Sequence, residues 1–106
     1  MPKFMIEASF TLDGVKGLMS AGGTARREAV SQTAESVGGK LESFNFAFGD
    51  RDVIVIADLP DNEAAAAMAL TVNASGAVST RTTVLLTPEE VDAATKRSVE
   101  YRPPGS

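Results

Sequence analysis

Residues 53–59 read Val-Ile-Val-Ile-Ala-Asp-Leu, and no other segment limits the fold so tightly. Successive side chains on a strand point to opposite faces, so a strand that is apolar at both parities needs cover on two sides. The segment is too short for a buried helix, and its β-branched run from Val53 to Ile56 favours the extended conformation. It has to lie inside a sheet, and both faces of that sheet have to be covered.

The flanking segments supply the rest of that sheet. Phe4, Ile6, Ala8, Phe10 and Leu12 alternate with Met5, Glu7, Ser9 and Thr11, which predicts a first strand over 3–12, stopped by Asp13-Gly14. Residues 15–20 predict one short helical turn before Gly22-Gly23. Thr24 reads as the N-cap of a first long helix over 24–37, with Ala29, Val30, Thr33, Ala34 and Val37 at helical spacing and Gly38-Gly39 at its end. Residues 40–48 predict a second strand, with Phe44, Phe46 and Phe48 on one face and Leu41, Ser43, Asn45 and Ala47 on the other. Gly49-Asp50-Arg51-Asp52 is a tight connection into the 53–59 strand.

Pro60 stops that strand, and Asp61 or Asn62 caps an alanine-rich helix that Gly76 ends. Threonine-rich alternation over 77–87 predicts a fourth strand. Thr87 and Pro88 then open a last, mostly polar helix that runs to about Arg97. Residues 1–97 form one domain on this reading, and 98–106 a flexible C-terminal tail.

The order β-α-β-β-α-β is that of an α+β, ferredoxin-like sandwich: a four-stranded antiparallel sheet with its helices on one face. Two helices cover one face only, yet apolar side chains lie at both parities. The uncovered apolar groups predict sheet-on-sheet pairing of two copies, as a homodimer or a higher homo-oligomer, with room for a ligand between the sheets. A chain of 106 residues buries only roughly 65% of its unfolded surface, so that pairing adds useful stability.

Charge and composition narrow the function. The net charge is −4 and the isoelectric point about 4.7, with the basic residues scattered apart from Arg26-Arg27 and Lys96-Arg97. Neither a nucleic-acid surface nor docking on an anionic membrane is expected of such a chain. There is no cysteine and no histidine. Disulfides, thiolate sites, cysteine nucleophiles and histidine-based acid, base or metal chemistry are therefore excluded within the chain. No cofactor and no metal are expected, since a carboxylate-only site for Mg²⁺ or Ca²⁺ has no convincing spacing here. No signal peptide or membrane span is expected either, and the cytoplasm is the default location.

Three stretches carry a resemblance: Gly38-Gly39-Lys40-Leu41, Phe48 to Ile56, and Pro60-Asp61-Asn62-Glu63-Ala64-Ala65-Ala66. Together they resemble the GYD-domain family of small bacterial proteins, over roughly residues 3–88. The resemblance implies the dimeric α/β-barrel form of the ferredoxin-like fold. The family is named for a Gly-x-Tyr-Asp hairpin motif. Gly49 and Asp52 match it, but Arg51 stands where tyrosine is usual, so no role of that tyrosine carries over.

Four residues are candidate ligand-binding groups: Glu7, Asp52, Asp58 and Arg81. Glu7 and Asp58 are charges inside apolar strands. Facing a barrel interior, either would be pushed towards its protonated form and become a proton carrier; at a strand end, either would pair with Lys3, Lys40 or Arg81. The pairing reading is favoured, because buried unpaired carboxylates are rare. Arg81 binds a ligand carboxylate or pairs with Glu42 or Glu7. Asp50 and Asp52 act as acid and base around Arg51, or Asp52 simply bonds turn amides; the turn reading is favoured. Gly22-Gly23 reads as a loop rather than a phosphate cradle, and Phe44-Phe46-Phe48 as packing rather than a stacking platform.

The sequence thus predicts a homo-oligomeric module that binds a small organic molecule or is purely structural. The alternative is a cofactor-free enzyme, monooxygenase-like or isomerase-like, working in the inter-sheet cavity. That alternative rests on fold analogy alone.

Overall fold

A computed structural model describes residues 1–105. The buried side chains of the 53–59 segment set the architecture. β3 (Val53–Asp58) is the inner strand beside β1 (Lys3–Phe10), and β2 (Lys40–Phe46) and β4 (Val78–Leu85) form the two edges. The sheet order is β2-β3-β1-β4 and every pairing is antiparallel. This is the ferredoxin-like α+β arrangement expected from the element order.

Among the described residues four helices accompany the sheet: α1 (Leu12–Ala21), α2 (Gly23–Ser36), α3 (Asn62–Ala74) and α4 (Pro88–Thr95). Val53, Val55 and Ala57 are buried together with Phe4, Ala34, Leu59, Ala65 and Met68, so the odd-numbered side of β3 meets α2 and α3. Ile6, Ala8, Phe10, Phe44 and Phe46 pack half-buried on the same side.

Several boundaries differ from the sequence reading, each for a physical reason. The expected short turn at 15–20 is a ten-residue helix, α1. Thr11 caps it, its hydroxyl accepting from the Gly14 amide at 3.3 Å, and the same hydroxyl donates to the Gly76 carbonyl at 2.8 Å. Thr24 is not the cap of α2. The helix starts one residue earlier, and Gly22 precedes it at φ 89°, ψ 167°, a conformation open essentially to glycine alone. β1 ends at Phe10 rather than Leu12 because that helix begins. β2 ends at Phe46, and Phe48 turns the chain with φ 54°.

The expected faces of β2 are also corrected. A bulge at Glu42, between Leu41 and Ser43, reverses the alternation, so Leu41 packs on the core side with Phe44 and Phe46. The last helix stops at Thr95. Asp61 caps α3, its carboxylate accepting from the Ala64 amide at 2.8 Å. Thr87 and Glu90 form a reciprocal capping box on α4, each bond 3.0 Å.

No residue of α4 is buried. The radius of gyration is 16.8 Å, against ~13 Å for a compact domain of this size. α4 and the described residues after it are exposed throughout. Ser106, the last residue of the expected tail, lies outside the described residues.

Candidate functional site

The helix-free face of the sheet follows from register. Paired residues share a face, so the partners of Ile54, Ile56 and Asp58 line the side that no helix covers. Across the strands, one row runs Asn45, Ile54, Glu7, Arg81. The next runs Ser43, Ile56, Met5, Thr83, and the next Lys40, Asp58, Lys3, Leu85. Met5, Ile54, Ile56 and Leu85 therefore form an apolar band with polar residues at its margins. Ile54 is 36% exposed and the other three are half-buried.

Three of the four candidate residues, Glu7, Asp58 and Arg81, lie on this face. It does not gather them into one constellation. Asp58 and Glu7 sit four residue pairs apart along β3 and β1, about 13 Å at the usual strand rise. Asp58 is 8% exposed and its Oδ1 accepts from Lys3 Nζ at 3.0 Å. The same ammonium reaches Glu42 Oε1 at 2.8 Å. The Glu42 hydrogen bond, then that of Asp58, raises the Lys3 pKa above its ordinary value. Asp58 is thus tied into a structural ion pair.

Glu7 and Arg81 are direct cross-strand neighbours. They make no ion pair with each other or with any other described residue. Glu42, one of the partners weighed for Arg81, belongs to Lys3 instead. Glu7 is half-buried and Arg81 exposed.

Asp52 is a structural tie. Its Oδ2 accepts from the Phe10 amide at 2.8 Å, its own amide donates to the Ala8 carbonyl at 2.9 Å, and its carbonyl accepts from the Ala47 amide at 2.9 Å. One residue thereby joins β1, β2 and β3 at one end of the sheet. Phe46 stacks on Phe48 with centroids 5.8 Å apart, and Phe44 meets Phe46 edge-on at 5.2 Å. The packing role expected for this trio holds for Phe44 and Phe46, while Phe48 is exposed.

The opposite side of the sheet holds a feature that strand patterning did not show. α2 and α3 leave a narrow apolar cleft of about 50 Å³ between them, over Ile6, Ala8, Phe44 and Val55. Among the described residues, no group of three or more acidic side chains is placed to hold a metal ion. No helix among them is long and apolar enough to cross a membrane.

A family profile for the GYD domain matches residues 4–95. The chain belongs to the GYD-domain family. No curated protein and no solved structure matches it. In this GYD-domain protein the naming hairpin is Gly49-Asp50-Arg51-Asp52, with the Gly49 amide donating to the Arg51 carbonyl at 3.2 Å. The aspartate that matches the motif is the residue that ties the three strands.

Proposed function

We propose that this GYD-domain protein is a self-associating module of the cytoplasm, whose helix-free sheet faces meet about a twofold axis. A polar patch around Glu7 and Arg81 then lies between the sheets and takes a small organic molecule. The observation that carries the reading is the band of Met5, Ile54, Ile56 and Leu85 on a face no helix covers. Apolar groups at the centre of a face with polar groups at its margins match the anatomy of an isologous interface. The unpaired Glu7 and Arg81 support the ligand half, because their charges find no ion-pair partner among the described residues.

Sedimentation velocity tests the association. The protein should run near twice its 11.0 kDa chain mass at micromolar concentration. Ile54→Glu should return it to the chain mass with an unchanged circular dichroism spectrum, since Ile54 is already 36% exposed. An 11.0 kDa particle for the unmodified protein overturns the reading. A thermal-shift screen of small metabolites tests the ligand half, with Glu7→Gln and Arg81→Gln as controls. No stabilisation by any compound leaves a purely structural module.

A further inference from the structure

A second cavity, on the other side of the sheet, carries a different chemistry. It lies between α1, α2 and the entry to β4 and measures about 260 Å³. Phe10, Leu18, Ala25, Ala29 and Val78 give it apolar walls. Gly14, Gly17 and Gly22 also line it. A Cβ built at Gly17 meets nothing within 4 Å, so a side chain at this lining position has open space around it. The volume holds about nine water molecules at ~30 Å³ each, the room a small molecule with a branched aliphatic or single-ring body needs.

Two charges stand on this cavity, Asp13 and Arg26. Asp13 belongs to the first turn of α1, and Arg26 to the start of α2. They share one small space, yet they do not come within ion-pair distance of each other, and neither pairs with any other described residue. A lone anion as ligand would satisfy Arg26 and be repelled by Asp13. A lone cation would meet the reverse. A molecule carrying both charges satisfies both.

We infer that the cavity between α1, α2 and β4 binds a small zwitterion with a compact apolar body, an apolar α-amino acid. Its carboxylate lies on the Arg26 guanidinium, which offers a fork of donors suited to it. Its ammonium lies on Asp13, and its side chain packs on Phe10 and Val78. This site is separate from the helix-free face, so its ligand does not depend on self-association.

Isothermal titration of the full chain tests it, with leucine and phenylalanine as probes. 4-Methylpentanoate, which is leucine without the ammonium, and isopentylamine, which is leucine without the carboxylate, are the single-charge controls. An amino acid should bind with a dissociation constant of roughly 0.1–1 mM, as suits so small a ligand. Each single-charge analogue, and each of Arg26→Gln and Asp13→Asn, should weaken binding by about tenfold or more, roughly one lost charged contact. Gly17→Leu should fill the cavity and abolish binding while circular dichroism reports a folded chain. Lys96→Gln, at the end of α4 and outside the cavity lining, should change nothing. Absence of heat with either amino acid at millimolar concentration overturns the inference. So does 4-methylpentanoate or isopentylamine binding as tightly as leucine, or tight binding that survives Gly17→Leu.

Discussion

Replacing Gly14 by alanine tests how α1 is seated on the sheet, and Gly17→Ala on the same helix supplies its control. A Cβ at Gly14 would stand 2.1 Å from the Ala77 carbonyl oxygen and 3.1 Å from Phe10 Cδ1. A carbon–oxygen contact relaxes at ~3.3 Å, so helix and strand must part by about 1.2 Å. The carbonyl cannot simply swing away, because it accepts from the Thr11 amide at 3.0 Å and the Thr11 hydroxyl at 3.2 Å. The hydroxyl shares its one proton with the Gly76 carbonyl at 2.8 Å, so losing the amide bond and the shared part of the hydroxyl bond costs about 1.5 kcal/mol, and lifting α1 off Phe10 brings the total to roughly 2–3 kcal/mol. Alanine's helix preference over glycine returns about 1 kcal/mol.

The net loss of about 1–2 kcal/mol lowers the melting temperature by roughly 5–15 °C in a domain of this size. At Gly17 nothing lies within 4 Å of the new methyl, so only the helix preference remains. That variant should melt about 4–8 °C higher. Comparing the two cancels the propensity and isolates the contact with Ala77. Thermal denaturation followed at 222 nm reads both. Equal melting temperatures for Gly14→Ala and Gly17→Ala would refute the seating of α1 described above.

The other expectations concern charges and caps. Lys3 has a raised pKa from its bonds to Glu42 and Asp58, so its contribution to stability is complete below its ordinary value of 10.5 and is lost as pH rises through the folded-state value. Lys3→Met should remove that alkaline loss, seen as a flatter stability profile in urea titrations above about pH 10. Asp61→Ala uncaps α3, whose Ala64, Ala65 and Met68 are buried, and should lower the melting temperature by about 4–8 °C. Thr87→Ala breaks the capping box of α4, which buries nothing; faster hydrogen exchange over 88–95 with a global melting temperature unchanged to within about 2 °C is the expected result.

Much of this architecture is legible in the chain because its local signals agree. The double-parity run at 53–59 and the alternation of β1 each specify one outcome, and the cap of α3 is narrowed to Asp61 or Asn62, of which Asp61 is the one used. Which faces meet the helices was not legible, since that depends on register between strands distant in sequence. The Glu42 bulge had only a weak trace, the break in apolar parity between Leu41 and Phe44. α1 was read short because Gly14 and Gly17 depress helix propensity, while the contacts that hold the helix, Thr11 on Gly76 and Ala77, are tertiary. Among the candidate residues, the charge pattern drew attention to Glu7, Asp58 and Arg81. The favoured pairing of Asp58 with Lys3 holds, but the pattern did not show that Lys3 also engages Glu42 and that Glu7 and Arg81 are left without an ion pair among the described residues. The cavity holding Asp13 and Arg26 is assembled from α1 and α2, and the underestimate of α1 concealed it.

A pair of spin labels, one on each copy, tests the proposed assembly most directly. The chain has no cysteine, so Thr83→Cys on the helix-free face and Ala66→Cys on α3 each give a single attachment point. Sheets stacked ~10 Å apart place labels on Thr83 within about 25 Å of each other, and a helix layer of ~10 Å on each outer side places labels on Ala66 beyond about 35 Å. Double electron–electron resonance should return distances in that order. A Thr83 label without dipolar coupling, or a shorter distance at Ala66, would contradict the association of two helix-free faces.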